Sequence, residues 1–237
     1  MWEQAERTGG AVRVAASAPG REGLRPLVDD LAAECARVGV AVRTGVRATA
    51  EGVLAEGPDV VVLATGARPV RPAWAGESDR VVDVRDVLTG AVTPAGEVLV
   101  VDDLGAAAAT SVAELLVGRG CTVEVVTAAL VVGQDLGLTL DRPGWERRAA
   151  GSHIRRTTER LVTAVDGRTV RLLHHPTGAT EERTADWVVV ATAPRADDEL
   201  WSALRDSGLE VHRVGDCLAP RRAGAATLDG DRLGLAL

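Results

Sequence analysis

Hydrophobic and polar positions in the first part of the chain change from a helical spacing to strand-like runs. Between Gly20 and Gly39 the apolar residues recur on one face at helical spacing, which predicts an amphipathic helix that ends at Gly39. The segment 40–46 alternates and predicts a short strand, and the segment 59–66 is a continuous apolar run that ends in a turn. Such runs are typical of strands covered on both faces, as in parallel sheets.

The middle of the chain predicts a strand–helix–strand unit. Its parts are a buried strand at Glu97–Asp102, a helix at Ala106–Arg119 with Val112, Leu115 and Leu116 facing inward, and a strand at Cys121–Thr127. A βαβ unit of this kind needs a right-handed crossover and a parallel sheet.

The last part predicts mainly strands. Segments 153–165, 169–174 and 184–192 alternate and are separated by turn residues, which predicts an antiparallel meander. A final strand at 210–214 and a helix at 221–237 follow. The predicted fold class is therefore α/β, in two intertwined halves.

Composition excludes several kinds of chemistry. All 27 basic residues are arginine, and the chain has no tyrosine, so a lysine Schiff base, a P-loop lysine and a tyrosine acid are impossible. The net charge of −7 argues against nucleic acid as a partner, and no apolar run has the roughly 20 residues of a membrane-spanning helix. Three cysteines without a pairing pattern (Cys35, Cys121, Cys217) fit a reducing cytoplasm.

No metal site and no catalytic residue is predicted. Three scattered cysteines cannot hold an iron–sulfur cluster alone, and the chain has no C-x-x-C pair. The four histidines have no carboxylate or cysteine at ligand spacing.

Three predicted strand ends are candidates for contact with a nucleotide. They are Ala64-Thr65-Gly66, Ala191-Thr192 and Gly215-Asp216, the last of which precedes Arg221 and Arg222. In doubly wound sheets a ligand lies beyond the carboxyl ends of the strands, where small residues let the backbone approach it. The alternatives are ordinary strand-to-loop turns and, for Asp216, a helix-capping side chain beside two solvated arginines.

Together with Trp2-Glu3, Gly9-Gly10 and the run Ala219-Pro220-Arg221-Arg222, these motifs resemble the C-terminal half of one flavoprotein family. This is the trimethylamine dehydrogenase and 2,4-dienoyl-CoA reductase family, whose members resemble old yellow enzyme and carry this half behind an FMN barrel. The resemblance implies two intertwined Rossmann-like domains of the glutathione reductase type, the first incomplete at its N-terminus. It implies an FAD- or ADP-binding domain at 1–92 and 203–237, and an NAD(P)-type domain with a β-meander at 93–202.

The resemblance also implies roles for individual residues. Glu3 would bind the adenosine ribose, Gly9 and Gly10 would lie near the pyrophosphate, and Asp216 would contact the flavin side. The remaining implied cofactor-binding positions are Thr65, Gly66, Gly105, Thr192 and Gly215. The implied cofactor is FAD or ADP, with NAD(P)H as a possible second nucleotide. FMN and an iron–sulfur cluster are expected only on a partner chain, a barrel subunit in a hetero-oligomer.

The chain departs from the family pattern at both phosphate loops. No G-x-G-x-x-G motif lies near residue 1, and only Gly105 remains of the second fingerprint. Asp102 and Asp103 precede this glycine and would repel a pyrophosphate. Three hypotheses therefore stay open: a nucleotide-binding subunit of a flavin-dependent oxidoreductase, a non-catalytic structural or interaction subunit, and a truncated fragment of such an enzyme.

Overall fold

The computed structural model describes residues 1–237. The eight α-helices are α1 (Gly10–Ala15), α2 (Leu24–Arg37), α3 (Ala50–Glu56), α4 (Val84–Thr89), α5 (Ala107–Gly118), α6 (Arg142–Gly151), α7 (Glu199–Leu204) and α8 (Ala223–Gly234). The twelve strands are β1 (Val60–Leu63), β2 (Ala67–Arg68), β3 (Val81–Asp83), β4 (Glu97–Asp102), β5 (Thr122–Val126), β6 (Arg155–Thr157), β7 (Arg160–Asp166), β8 (Thr169–His174), β9 (Ala179–Thr184), β10 (Trp187–Ala191), β11 (Arg195–Ala196) and β12 (Glu210–Arg213). The α/β class with a parallel sheet is confirmed.

Internal contacts divide the chain into two compact units. Unit 1 consists of residues 1–13, 23–69 and 194–237, and unit 2 consists of residues 14–22 and 70–193. The chain therefore leaves unit 1 and returns to it. The main boundaries lie at 69/70 and 193/194, whereas the sequence-based division lies at 92/93 and 202/203.

Unit 2 is built on a five-stranded sheet in the order β3-β10-β4-β5-β6, and every neighbouring pair in it is parallel. Successive side chains of a strand point to opposite faces of a sheet. In β4, Val98 and Val100 therefore belong to one hydrophobic cluster and Leu99 and Val101 to another. This explains why β4 is a continuous apolar run: both faces of the sheet are buried.

Different elements cover the two faces. The first cluster includes Val112 and Leu116 of α5 and Trp145 of α6, all of them buried. The second cluster includes Val162 of β7 and Leu172 of β8, so the antiparallel sheet β7-β8-β9 covers the opposite face. The predicted unit of strand, helix and strand at 97–127 is thus confirmed as β4, α5 and β5.

The meander predicted at 153–192 is partly wrong. Its first segment divides into β6, which joins the edge of the parallel sheet, and β7, which begins the meander. Its third strand is β9, whereas β10 lies inside the parallel sheet, between β3 and β4. The physical reason is burial: Val188, Val189 and Val190 are all buried, so β10 needs cover on both faces.

Unit 1 contains the parallel pair β1 and β12, in which Val60 lies opposite Glu210 and Leu63 opposite Arg213. One face of this pair packs in a third cluster with Val53 of α3 and Leu204 of α7. Helix α3 begins where the Thr49 hydroxyl accepts the Gly52 N–H at 3.1 Å, a typical N-cap. Strands β2 and β11 form a separate antiparallel pair.

Much of the apolar surface of unit 1 is uncovered. In α2 only Val28 is buried, and Leu31 on its predicted apolar face is 54% exposed. Val62 of β1 is 47% exposed, and α8 has no buried residue. The strand predicted at 40–46 is wrong, because only an isolated bridge between Arg43 and Trp2 forms there. A bridge stays isolated where the neighbouring segment pairs through one residue and does not continue as a strand.

Candidate functional site

The carboxyl ends of β1 and β12 lie at the same edge of unit 1, because the two strands run parallel in register. Two predicted site segments therefore come together there, Thr65-Gly66 after β1 and Gly215-Asp216 after β12. Gly66 has φ +78° and Gly215 has φ +64°, backbone conformations that L side chains rarely adopt. Both strands thus end in turns that require glycine.

Local contacts fix the turn after β12. The Gly215 N–H donates to Asp229 Oδ2 at 3.1 Å, and the Arg221 backbone N–H donates to Asp216 Oδ1 at 3.0 Å. The Asp229 carboxylate, which belongs to α8, also pairs with the Arg221 guanidinium. Asp216 is half-buried and Cys217 is fully buried. The sequence pattern did not identify Asp229, because it lies in an exposed helix fourteen residues after Gly215.

A charged network lies beside the turn after β1. The Thr65 hydroxyl donates to the carbonyl oxygen of Asp197 at 2.5 Å. The Arg68 guanidinium contacts Glu199 at 2.6 and 2.9 Å and the Asp197 carboxylate at 2.9 Å. Hydrogen bonds to Glu199 and Asp197 raise the pKa of Arg68, and the hydrogen bond from Arg68 lowers the pKa of Glu199. The network holds β2 and β11 together, which was not evident from the sequence.

Glu3, Gly9 and Gly10 lie in the first segment of unit 1. The Glu3 backbone N–H donates to the Arg43 carbonyl at 2.9 Å, and Glu3 Oε1 accepts the Ala5 N–H at 2.8 Å. Gly9 has φ +114°, and a Cβ there would lie 2.3 Å from Cγ1 of Val28. Gly9 therefore permits a close approach between its loop and α2, and Gly10 begins α1.

In unit 2 the turn between β4 and α5 is held by a buried carboxylate. Asp102 Oδ1 accepts the Gly105 N–H and Oδ2 accepts the Gly133 N–H, each at 2.8 Å. The Thr127 hydroxyl donates to the Asp102 carbonyl oxygen at 2.7 Å. Burial raises the pKa of Asp102, and the N–H groups of Gly133 and Gly105 oppose that rise. Neither the role of Gly133 nor that of the Asp102 carboxylate was predicted from the sequence.

Thr192 follows β10, the neighbour of β4 in the sheet. Its hydroxyl donates to the Val70 carbonyl at 3.2 Å, and the Asp103 N–H donates to the Ala191 carbonyl at 3.3 Å. The end of β10 is thus bonded to the turn that contains Gly105. The structure therefore brings Thr192 near Gly105 in unit 2, and Thr65 and Gly66 near Gly215 and Asp216 in unit 1.

The candidate segments share carboxylates that accept backbone N–H groups and turns with positive-φ glycines. No group of three or more His, Cys, Asp or Glu side chains in residues 1–237 could hold a metal ion. The three cysteines are all unpaired. None of the helices has the length and the apolar character that crossing a membrane requires.

Comparisons with known proteins identify relatives over nearly the whole chain. No protein-family model matches the sequence. N,N-dimethylglycine/sarcosine dehydrogenase of Chromohalobacter salexigens is 32% identical, over 98% of this chain and 39% of its own length. Histamine dehydrogenase from Rhizobium sp. 4-9 has a similar fold, with a TM-score of 0.92 at 24% identity over 98% of this chain and 39% of that chain.

A second solved structure agrees with this result. 2-Naphthoyl-CoA reductase superposes with a TM-score of 0.91 at 26% identity, over 100% of this chain and 36% of that chain. The chain therefore spans less than two fifths of the length of these relatives, in their C-terminal portion. Over about 98% of its length, the chain is thus similar to the C-terminal portion of flavoproteins that resemble dimethylglycine dehydrogenase and trimethylamine dehydrogenase.

Proposed function

We propose that this chain is the nucleotide-binding part of a flavin-dependent oxidoreductase. Unit 1 binds FAD or ADP, and the chain serves in electron transfer or as the housing of the cofactor. The observation that carries this proposal is the similarity to flavoprotein dehydrogenases and reductases over 98% of the chain. The two intertwined Rossmann-like domains, with the FAD type at 1–92 and 203–237 and the NAD(P) type at 93–202, are part of the same proposal.

The donor and acceptor groups of unit 1 fit such a nucleotide. Glu3 and Asp216 are half-buried carboxylates, each oriented by a backbone N–H, and carboxylates at strand ends accept hydrogen bonds from ribose and ribityl hydroxyls. We assign Glu3 to the adenosine ribose, Gly9 and Gly10 to the pyrophosphate, and Asp216 to the flavin side. Bound FAD would supply the ability to accept and pass on electrons.

The glycine turns support the same assignment. A nucleotide at the carboxyl ends of parallel strands needs close approach of the backbone, and residues with small or no side chains allow it. Thr65-Gly66 and Gly215 provide this at the ends of β1 and β12. In this proposal Thr65 keeps its turn in place through its bond to the Asp197 carbonyl.

We further propose that an FMN-binding barrel accompanies this chain as a partner in a hetero-oligomer, and that FMN and any iron–sulfur cluster reside there. Two surfaces of unit 1 are suited to contact with a segment of such a partner. Strand β1 pairs only with β12, so its other edge has backbone groups without strand partners. Leu31 and Val62 expose apolar side chains that added structure could cover.

The free cysteines support a reducing cytoplasm as the compartment.

Native mass spectrometry of the gently purified protein from its own host tests the proposal. We expect a complex with a barrel polypeptide, with an added mass of FAD or ADP. A protein that carries neither nucleotide and has no barrel polypeptide beside it would overturn the proposal.

A variant pair locates the nucleotide. Asp216→Asn removes one charge at constant size, and we expect FAD or ADP to bind about tenfold more weakly because a charged acceptor becomes neutral. Asp206→Asn is the matched control, since its side chain is 86% exposed and pairs only with neighbouring Arg205. Equal nucleotide binding by the two variants would exclude Asp216 from the site.

A second candidate is a structural or interaction subunit without a nucleotide. The internal use of the turn amides in unit 2 by Asp102 favours it. Equilibrium dialysis against FAD, ADP and NADPH separates the candidates, because tight binding of any of these contradicts a purely structural role.

A further inference from the structure

The carboxylate of Asp102 is the most deeply buried charged group of unit 2, with a residue exposure of 1%. It lies at the end of the central strand β4, and each of its oxygens accepts one backbone N–H at 2.8 Å. The donors come from two different loops, Gly105 before α5 and Gly133 after β5. One side chain therefore joins the two loops at the carboxyl end of the sheet.

The backbone of both loops is shaped to reach this carboxylate. Gly105 and Gly133 have φ +62° and φ +63°, which any other residue adopts only with strain. The Asp135 N–H also donates to the Gly105 carbonyl at 2.8 Å, a second direct bond between the loops. The closed arrangement thus rests on three hydrogen bonds and on two glycines.

This closed arrangement conflicts with the binding of a dinucleotide. A nicotinamide dinucleotide places its diphosphate against the amides of the first strand-to-helix turn, at the N-terminus of the helix. In unit 2 the Gly105 amide of this turn already bonds to a carboxylate. Asp103 follows Asp102 directly, and Asp135 lies on the facing loop, so the turn also carries negative charge that repels phosphate.

We propose that the Asp102 carboxylate acts as an internal anion, which holds the β4–α5 turn closed and prevents unit 2 from binding NADH or NADPH. Unit 2 is then a scaffold, and electrons enter this chain from a flavin or from a partner rather than from a nicotinamide nucleotide. The inference goes beyond the proposed function: the route of the electrons rests on that function, whereas the closed turn does not, since every residue that holds it lies in unit 2.

The first test is titration of the full chain, with any flavin or partner retained, with NADH and NADPH by calorimetry. We expect no binding with a dissociation constant below about 1 mM, which corresponds to about −4 kcal/mol. Hydrogen exchange at Gly105 and Gly133 is measured in parallel, and we expect it to remain unchanged when either nucleotide is added. A dissociation constant below that value for either nucleotide, or added protection of these amides, would overturn the proposal.

The second test is a variant pair that changes the same charge at adjacent positions. Asp102→Asn leaves one acceptor oxygen and turns an N–H group towards one of the two amides, so we expect exchange at Gly105 or Gly133 to accelerate about tenfold or more. Asp103→Asn is the control, because Asp103 is exposed and its carboxylate bonds to neither amide. Equal exchange in the two variants would refute the role of Asp102.

Titration with FAD and ADP in the same preparation keeps the two ideas separate. Loss of flavin or ADP binding would count against the proposed function of unit 1 alone. Binding of NADH or NADPH would count against the internal anion alone.

Discussion

Gly133→Ala is the substitution whose cost the structure defines most closely. Gly133 has φ 63° and ψ 39°, the left-handed region, where alanine costs about 1 to 2 kcal/mol. A Cβ there would also lie 2.9 Å from Leu136 Cδ1 and 2.9 Å from Thr110 Cγ2. Both neighbours are buried, so relief of the overlap shifts packed side chains, and this overpacking adds about 1 to 3 kcal/mol. We expect the free energy of unfolding to fall by about 2 to 5 kcal/mol.

Gly120→Ala is the matched control. Gly120 also lies in unit 2 and has φ +87°, but a Cβ there would meet no atom within 4 Å. It should therefore cost only the backbone strain of about 1 to 2 kcal/mol. Urea unfolding followed by far-UV circular dichroism measures both variants, and their difference isolates the overlap with Leu136 and Thr110. A difference below about 0.5 kcal/mol would refute the packing argument.

Three further predictions concern unit 2. Leu116→Ala removes a fully buried core side chain and should cost about 2 to 5 kcal/mol in urea unfolding, whereas Leu138→Ala, at a position 71% exposed, should cost less than about 0.5. The indole N–H of buried Trp145 has no acceptor in the chain, so Trp145→Phe should cost clearly less than the roughly 3 to 5 kcal/mol of Trp145→Ala; equal melting temperatures would contradict this. The Arg160 guanidinium lies 2.6 Å from the Glu181 carboxylate and lowers the pKa of Glu181. The stabilisation from this ion pair is therefore present above the unfolded pKa near 4.3, and it is lost as the pH falls through the lower folded pKa. Glu181→Gln should therefore reduce stability by at most about 1 kcal/mol at pH 7 and by nothing in strong acid, and a loss that persists in acid would exclude the ion pair as its cause.

The elements that sequence patterns predicted correctly are those whose burial is set by local spacing. β4, α5 and β5 follow from an apolar run, a helical stripe and a second run, and each lies within a few residues of its predicted bounds. β10 was assigned to the wrong sheet because the pattern of a strand shows how far it is buried but not which strands lie beside it. Its run of buried valines is typical of a central parallel strand, yet the adjacent hairpins suggested continuation of the meander.

The candidate site was predictable in part for the same reason. Glycine turns after apolar strands identify strand ends, so Gly66, Gly105 and Gly215 could be selected from the sequence alone. The partner of Asp102 could not, because Gly133 lies 31 residues away and reaches the carboxylate only through the packing of two loops. The sequence therefore showed a repulsive charge where the structure shows a bonded one.

The pairing of β1 with β12 also determines the order in which the chain can fold. Val60 and its partner Glu210 are separated by about 150 residues, and the whole of β3 to β10 lies between them. Closing so long a loop is slow, whereas the neighbours β4 and β5 are joined by a single helix. During synthesis unit 2 can thus collapse around its own sheet before β12, the partner of β1 in unit 1, has been made. Until residue 210 emerges, the valines of β1 remain available to other chains, which makes this interval the period of greatest risk of aggregation.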